Sequence, residues 1–199
     1  MLIYQDGVEL PEFAAFVLLE TVEGCDILRR YYRRYLDIAV AARGAGFVLE
    51  TPTWRAGLDW GAKLGFDAEA MQRINAEAVV LMNGLRAEYA SRIAGPIVVS
   101  GCIGPRGDGY AAGAPMEPDD ARRAHQLQVD ALAAAGVDQI TAVTMTSSAE
   151  AMGVARRCGA FRPGQRNLIH GANRWKAAQW RGLGRSDPGG RCRRRSVRP

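Results

Sequence analysis

The sequence lacks any long hydrophobic run. Its longest apolar stretches, such as Phe13–Leu19 and Ala78–Met82, are far too short to span a bilayer. Met1-Leu2-Ile3-Tyr4-Gln5-Asp6 offers neither a basic opening nor an apolar segment after it, so no secretory signal is visible. The expectation is a cytoplasmic chain without a membrane partner. Cysteine is sparse and scattered: Cys25, Cys102, Cys158 and Cys192 show no CxxC or CxxH spacing. That pattern argues against a disulfide framework and against a self-contained zinc knuckle. Histidine is scarcer still, with only His125 and His170, and no Ser-His-Asp set or metal cluster can be assembled. Catalytic residues therefore stay unassigned. Neither GxGxxG nor a P-loop follows any apolar run, which removes the usual nucleotide-binding sites.

What is present is one ordinary core and one unusual tail. A length of 199 residues suits a single domain. From Ala160 to Pro199, ten Arg and one Lys stand against Asp187 alone, giving +10; the total of +5 leaves −5 for the body. An acidic body joined to a basic tail suggests a nucleic-acid arm or two segments of different origin.

The body alternates helical and strand signals. Ile27, Leu28, Tyr31, Tyr35, Ile38 and Ala42 lay an apolar stripe along a helix over Val22–Arg43, which Gly44 and Gly46 break. Asp67 is placed to cap a helix carrying Met71, Ile74, Ala78, Leu81 and Leu85. Pro118-Asp119-Asp120 opens another, running to Ala135, and Ser147 or Ser148 caps a fourth. Between them lie short apolar runs at Gly46–Glu50, Pro96–Gly101 and Gln139–Thr144, as expected of strands buried on both faces. Strands alternating with long helices make βαβ units and a parallel sheet, either doubly wound or barrel-like. After Gly159 no period of either kind is sustained.

In such folds ligands gather where strands end at their carboxyl side. Three segments hold that position: Glu50-Thr51-Pro52-Thr53-Trp54-Arg55, the glycine-rich Gly101–Tyr110 loop, and Thr144-Met145-Thr146. Glu50 suits a base or an amine anchor, and the glycine amides can approach a polar ligand group closely. His125, mid-helix beside Gln126 and Gln128, is expected to pack rather than react.

These segments carry a resemblance. Asp6–Phe16, Thr51–Ala56, Ser100–Tyr110 and Ala135–Asp138, with His125 and Gln128 before Leu132 and Met145-Thr146 with Glu150-Ala151, look like a subfamily of homocysteine S-methyltransferases. The likeness covers roughly Leu2 to Gly159 in family order. It implies an α/β fold, a partial (βα)8 TIM-type barrel holding roughly strands 2–4 with their helices. It implies methyl transfer from an S-methyl donor to the homocysteine thiol, making methionine. Glu50, Thr51, Thr53, Gly101, Gly104, Thr144 and Thr146 are the positions it suggests on the substrate side. Family members hold zinc through three cysteines, one in an Asn-Cys pair and two in a Gly-Gly-Cys-Cys motif. Neither motif occurs here, and the family's opening Asp-Gly-Gly strand is also absent. The resemblance thus describes a barrel truncated at both ends, with no zinc expected to bind and no activity expected as it stands. Self-association through the open barrel edge is expected as well.

The division is then 1–159, a partial homocysteine-binding barrel, and 160–199, an unstructured Arg-rich tail. Every Arg codon read one base later begins with G. Read in that frame, Arg166 to Arg198 can spell the strand, the Thr-Asp-Gly-Arg-Leu-Pro-Ser-Gly segment and the helix that follow strand four in the family. A frameshift near Gly159 accounts together for the charge break, the lost periodicity and the missing cysteines. The alternatives are a non-catalytic fragment and a basic-tailed protein whose arginines contact nucleic-acid phosphates.

Overall fold

The computed structural model describes residues 2–111 and 116–158 and the backbone of 166–169. Its sheet has four strands: β1 Phe47–Glu50, β2 Ile97–Ile103, β3 Gln139–Ala142 and β4 Arg166–Ile169, hydrogen-bonded in the order β1-β2-β3-β4. All pairings are parallel, with Phe47 beside Ile97, Ser100 beside Gln139 and Gln139 beside Arg166. The first three strands lie where the apolar runs predict them.

The fourth corrects the expectation of a tail without regular structure. Arg-Asn-Leu-Ile is too short and too mixed to carry a period, but β3 offers it an open backbone edge along its whole length. The unstructured, frameshifted character expected for the rest of the tail falls on residues 160–165 and 170–199, outside the described residues.

Two short 3-10 segments, Pro11–Phe13 and Ala15–Glu20, lead into α1, Val22–Ala41. Thr21 caps α1, its hydroxyl accepting from the Gly24 amide at 3.0 Å. The expected Asp67 cap is present too: Asp67 Oδ1 accepts from the Ala70 amide at 2.8 Å at the start of α3, Ala68–Tyr89. Between β1 and α3 lies α2, Leu58–Lys63, one and a half turns that periodicity cannot register. The helix expected over Pro118–Ala135 is two, α4 Pro118–Ala124 and α5 Gln126–Ala134, broken at His125. The last helix, α6, runs Ser148–Cys158.

The core lies between the sheet and these helices. Leu49, Val99, Ile103 and Ile140 from the strands join Leu28 and Leu36 of α1, Met71, Ile74 and Met82 of α3, and Leu132 of α5. Burying such side chains is the main favourable term in folding, at about 1.5–3 kcal/mol each. β1 is an edge strand, and Val48 on it is 52% exposed.

Candidate substrate site at the strand ends

The segments after β1, β2 and β3 are tied to one another by side chains. Thr53 Oγ1 donates to the Cys102 carbonyl at 2.7 Å, and Thr51 Oγ1 accepts from the Cys102 amide at 2.9 Å. The two hydroxyls lie 2.6 Å apart. A hydroxyl has one proton, and Thr53 already uses its own, so Thr51 is the donor between them. Both threonines are buried, and both protons are engaged in bracing β1 against β2.

Trp54 makes the next link. Its Nε1 donates to Thr144 Oγ1 at 2.9 Å, and Thr144 Oγ1 donates to the Val143 carbonyl at 2.7 Å. Thr144 has a left-handed backbone, φ 54°, at the turn after β3. Gly104 lets this contact form: its amide donates to the Trp54 carbonyl at 2.9 Å, and a Cβ there would lie 2.3 Å from that same oxygen. Gly101 has a different role. A Cβ on it would meet Leu132 Cδ1 at 3.0 Å, so its lack of a side chain serves the packing of α5 on β2.

A second buried network stands behind the β2 loop. Glu150 Oε1 accepts from the Arg106 amide and meets His125 Nε2, each at 2.8 Å, and both side chains are almost fully buried. Gln128 Nε2 donates to the Thr53 carbonyl at 2.7 Å. His125 is the packing residue the sequence suggests, and its place between α4 and α5 lets it reach α6. Arg106 also pairs with Asp59 of α2, and this hydrogen bond holds the Asp59 carboxyl below its usual range.

Of the remaining predicted positions, Glu50 ends β1. Its carbonyl accepts from the Tyr32 hydroxyl at 2.8 Å, and its carboxylate acts electrostatically on Tyr32 and Cys102. Thr146 is buried after Met145. Six of the seven predicted residues therefore lie at or just beyond the carboxyl ends of the strands, and Gly101 lies within β2. None of them lines the cavity of about 510 Å3 beside them, which is bounded by Tyr31, Trp54, Arg55, Asp108 and Tyr110 among others. Sequence reasoning passed over Arg55, whose signal is an arginine set between Trp54 and Trp60. A groove of about 590 Å3 between α1 and α3 lies on the helix layer, lined by Cys25, Arg33 and Leu85 among others.

The profile of the homocysteine S-methyltransferase family matches residues 6–171. The chain belongs to that family. The match passes Gly159, so family-like sequence reaches further into the tail than the charge break implies. Among solved structures, the metallated form of the homocysteine methyltransferase MmuM from Escherichia coli superposes with a TM-score of 0.66 at 23% identity. That match covers 81% of this chain and 56% of the other. The apo form of the same enzyme gives 0.62 at 22%, covering 87% and 57%. The likeness establishes the fold, a partial barrel, and the chain spans little more than half the length of those structures. No curated protein matches the chain by sequence.

The described cysteines do not fit the zinc centre that the family implies. Burial, with Glu50 nearby, pushes the Cys102 thiol well above its ordinary range, whereas a zinc ligand must be a thiolate. Cys158 is buried at the end of α6, its thiol pushed up to about 12, and Cys25 lies on α1. Among the described residues no group of three or more His, Cys, Asp or Glu side chains is placed to hold a metal ion.

Proposed function

We propose that the chain carries the strand-end part of a site for methyl transfer from an S-methyl donor to the homocysteine thiol, the reaction that makes methionine. The family match over residues 6–171 carries this reading. It is supported by the convergence of the predicted segments at one end of the sheet. In this reading Glu50 and Thr146 stand at the strand ends beside the cavity that takes homocysteine, without lining it. Thr51, Thr53 and Thr144 hold the loops in register, because their protons are engaged within the protein. Gly101 and Gly104 let α5 and Trp54 approach closely.

Homocysteine becomes a nucleophile as its thiolate, and a thiol with an ordinary pKa near 8.5 is mostly protonated at neutral pH. No described side chain is placed to hold that thiolate, since Cys102 is itself buried as a thiol. The 199-residue chain alone is accordingly expected to be inactive. The test is methionine formation by the purified chain with homocysteine, an S-methyl donor and added zinc. It runs beside a chain extended with the family's opening strand and cysteine motifs. Methionine from the extended chain only is the expected result. Zinc-dependent turnover by the short chain would overturn the inactivity.

A further inference from the structure

Arg55 is a charged side chain buried without a counter-ion. It is 7% exposed, and its guanidinium carbon lies 3.7 Å from the ring centre of Trp60 and 4.6 Å from that of Trp54. Its Nε is buried with no hydrogen-bond partner. Among the described residues no carboxylate forms an ion pair with it. Arginine stays protonated in proteins, and a buried unpaired charge is costly. Ring faces offset part of that cost, but they leave the guanidinium's in-plane donors unused.

Arg55 also lines the 510 Å3 cavity beside the strand ends, together with the apolar and aromatic Leu10, Phe13, Tyr31 and Trp54. The acids that act on it are Asp108 and Glu12, with Tyr110 a weaker influence. Asp108 lines the same cavity, outside ion-pair distance, and its Oδ1 accepts from the Tyr110 amide at 2.7 Å. A cavity with an unpaired guanidinium, a separate carboxylate and aromatic walls suits a small zwitterion with an apolar middle.

We propose that Arg55 anchors the carboxylate of an amino-acid ligand in this cavity. The proposal rests on the methyl-transfer reading only for the choice of ligand class. The guanidinium fork matches a carboxylate in plane, and such charge-assisted bonds are about twice as strong as neutral ones.

The test uses the full chain with L-homocysteine and L-methionine, each compared with its decarboxylated amine. Calorimetry measures affinity, and the Arg55 Nε–H resonance reports contact. An amino acid should bind the natural chain at least about tenfold more tightly than its decarboxylated partner, the scale of one charge-assisted bond. The Nε–H signal should shift only when the carboxylate is present. Arg55→Met should bring the ratio close to one, and Arg55→Lys should keep part of it. If Arg55→Met does not fold, the Nε–H shift in the natural chain decides. Equal binding of acid and amine, binding of neither amino acid, or a preference that survives Arg55→Met would overturn the proposal. Arg55-dependent binding of methionine without homocysteine would keep it while contradicting the homocysteine reading. Homocysteine bound with an unmoved Arg55 signal would do the reverse.

Discussion

Trp54 Nε1 donates to Thr144 Oγ1 at 2.9 Å, joining the segments that follow β1 and β3 across the end of β2. The bridge closes because Gly104, just beyond β2, brings its backbone under the indole. Gly104→Ala places a methyl against the Trp54 carbonyl and should destabilise the chain by about 1–3 kcal/mol, the usual cost of overpacking. Gly84, in the middle of α3, has nothing within 4 Å of a Cβ. Gly84→Ala should therefore stabilise by about 0.4–1 kcal/mol. Denaturant melts of the two variants check both signs.

The thiols should differ sharply in reactivity. Cys102 and Cys158 are buried with raised pKa values, whereas Cys25 is partly exposed. Alkylation at pH 8 followed by peptide mapping should label Cys25 well before Cys102 and Cys158, which should stay unlabelled until the chain unfolds. Rapid labelling of Cys102 would mean an open, ionised thiol at the strand ends.

The same burial sets an alkaline limit. A thiol whose folded pKa is raised keeps its proton while the unfolded thiol loses it. Its contribution is fully present below the unfolded pKa near 8.5 and is lost as pH rises above that value. The loss is up to about 1.4 kcal/mol per pH unit for one group. Cys102→Ala should flatten this part of the stability profile between pH 9 and 11, and an unchanged slope would place the effect elsewhere.

The first three strands and the caps at Asp67 and Ser147 were legible because apolar runs and helix starts are local signals. α2 was not, since six residues hold less than two helical turns. The break at His125 was also hidden, because it follows from a partner on α6 rather than from neighbours in the chain. At the site, the sequence located the three strand-end segments but not the division of labour within them. Hydroxyls at Thr51, Thr53 and Thr144 look free in sequence and are engaged across strands in the fold. Arg55 gave no periodic signal, and its burial between two indoles is a tertiary fact.

β4 revises what removal of the tail should do. A chain ending at Cys158 loses the strand beside β3 and should melt lower, by about 2–4 °C for each kcal/mol lost. A chain ending at Ile169 keeps that pairing and should melt close to the full chain. Equal melting of all three would mean that β4 contributes nothing. The frameshift expected near Gly159 stands against the family match and the β4 strand that the present frame gives as far as residue 171. The coding DNA decides: the family's next strand and helix spelled one base later after the codon for Gly159 would support it, and no such reading would contradict it.

Self-association is expected at the other flank of the sheet. Among the described residues no strand pairs with the outer side of β1, and Val48 on it is half exposed. Val48→Lys should shift a concentration series in sedimentation velocity toward the monomer. A natural chain that stays monomeric at high concentration would contradict the expectation.

The central claim is that homocysteine sits at the carboxyl ends of β1, β2 and β3. Titrating the isotope-labelled chain with L-homocysteine under reducing conditions, and following backbone amides by NMR, tests it most directly. The account predicts shifts concentrated at Glu50–Arg55, Gly101–Arg106 and Thr144–Thr146, with the groove between α1 and α3 unmoved. Shifts confined to that groove, or none at saturating ligand, would contradict it.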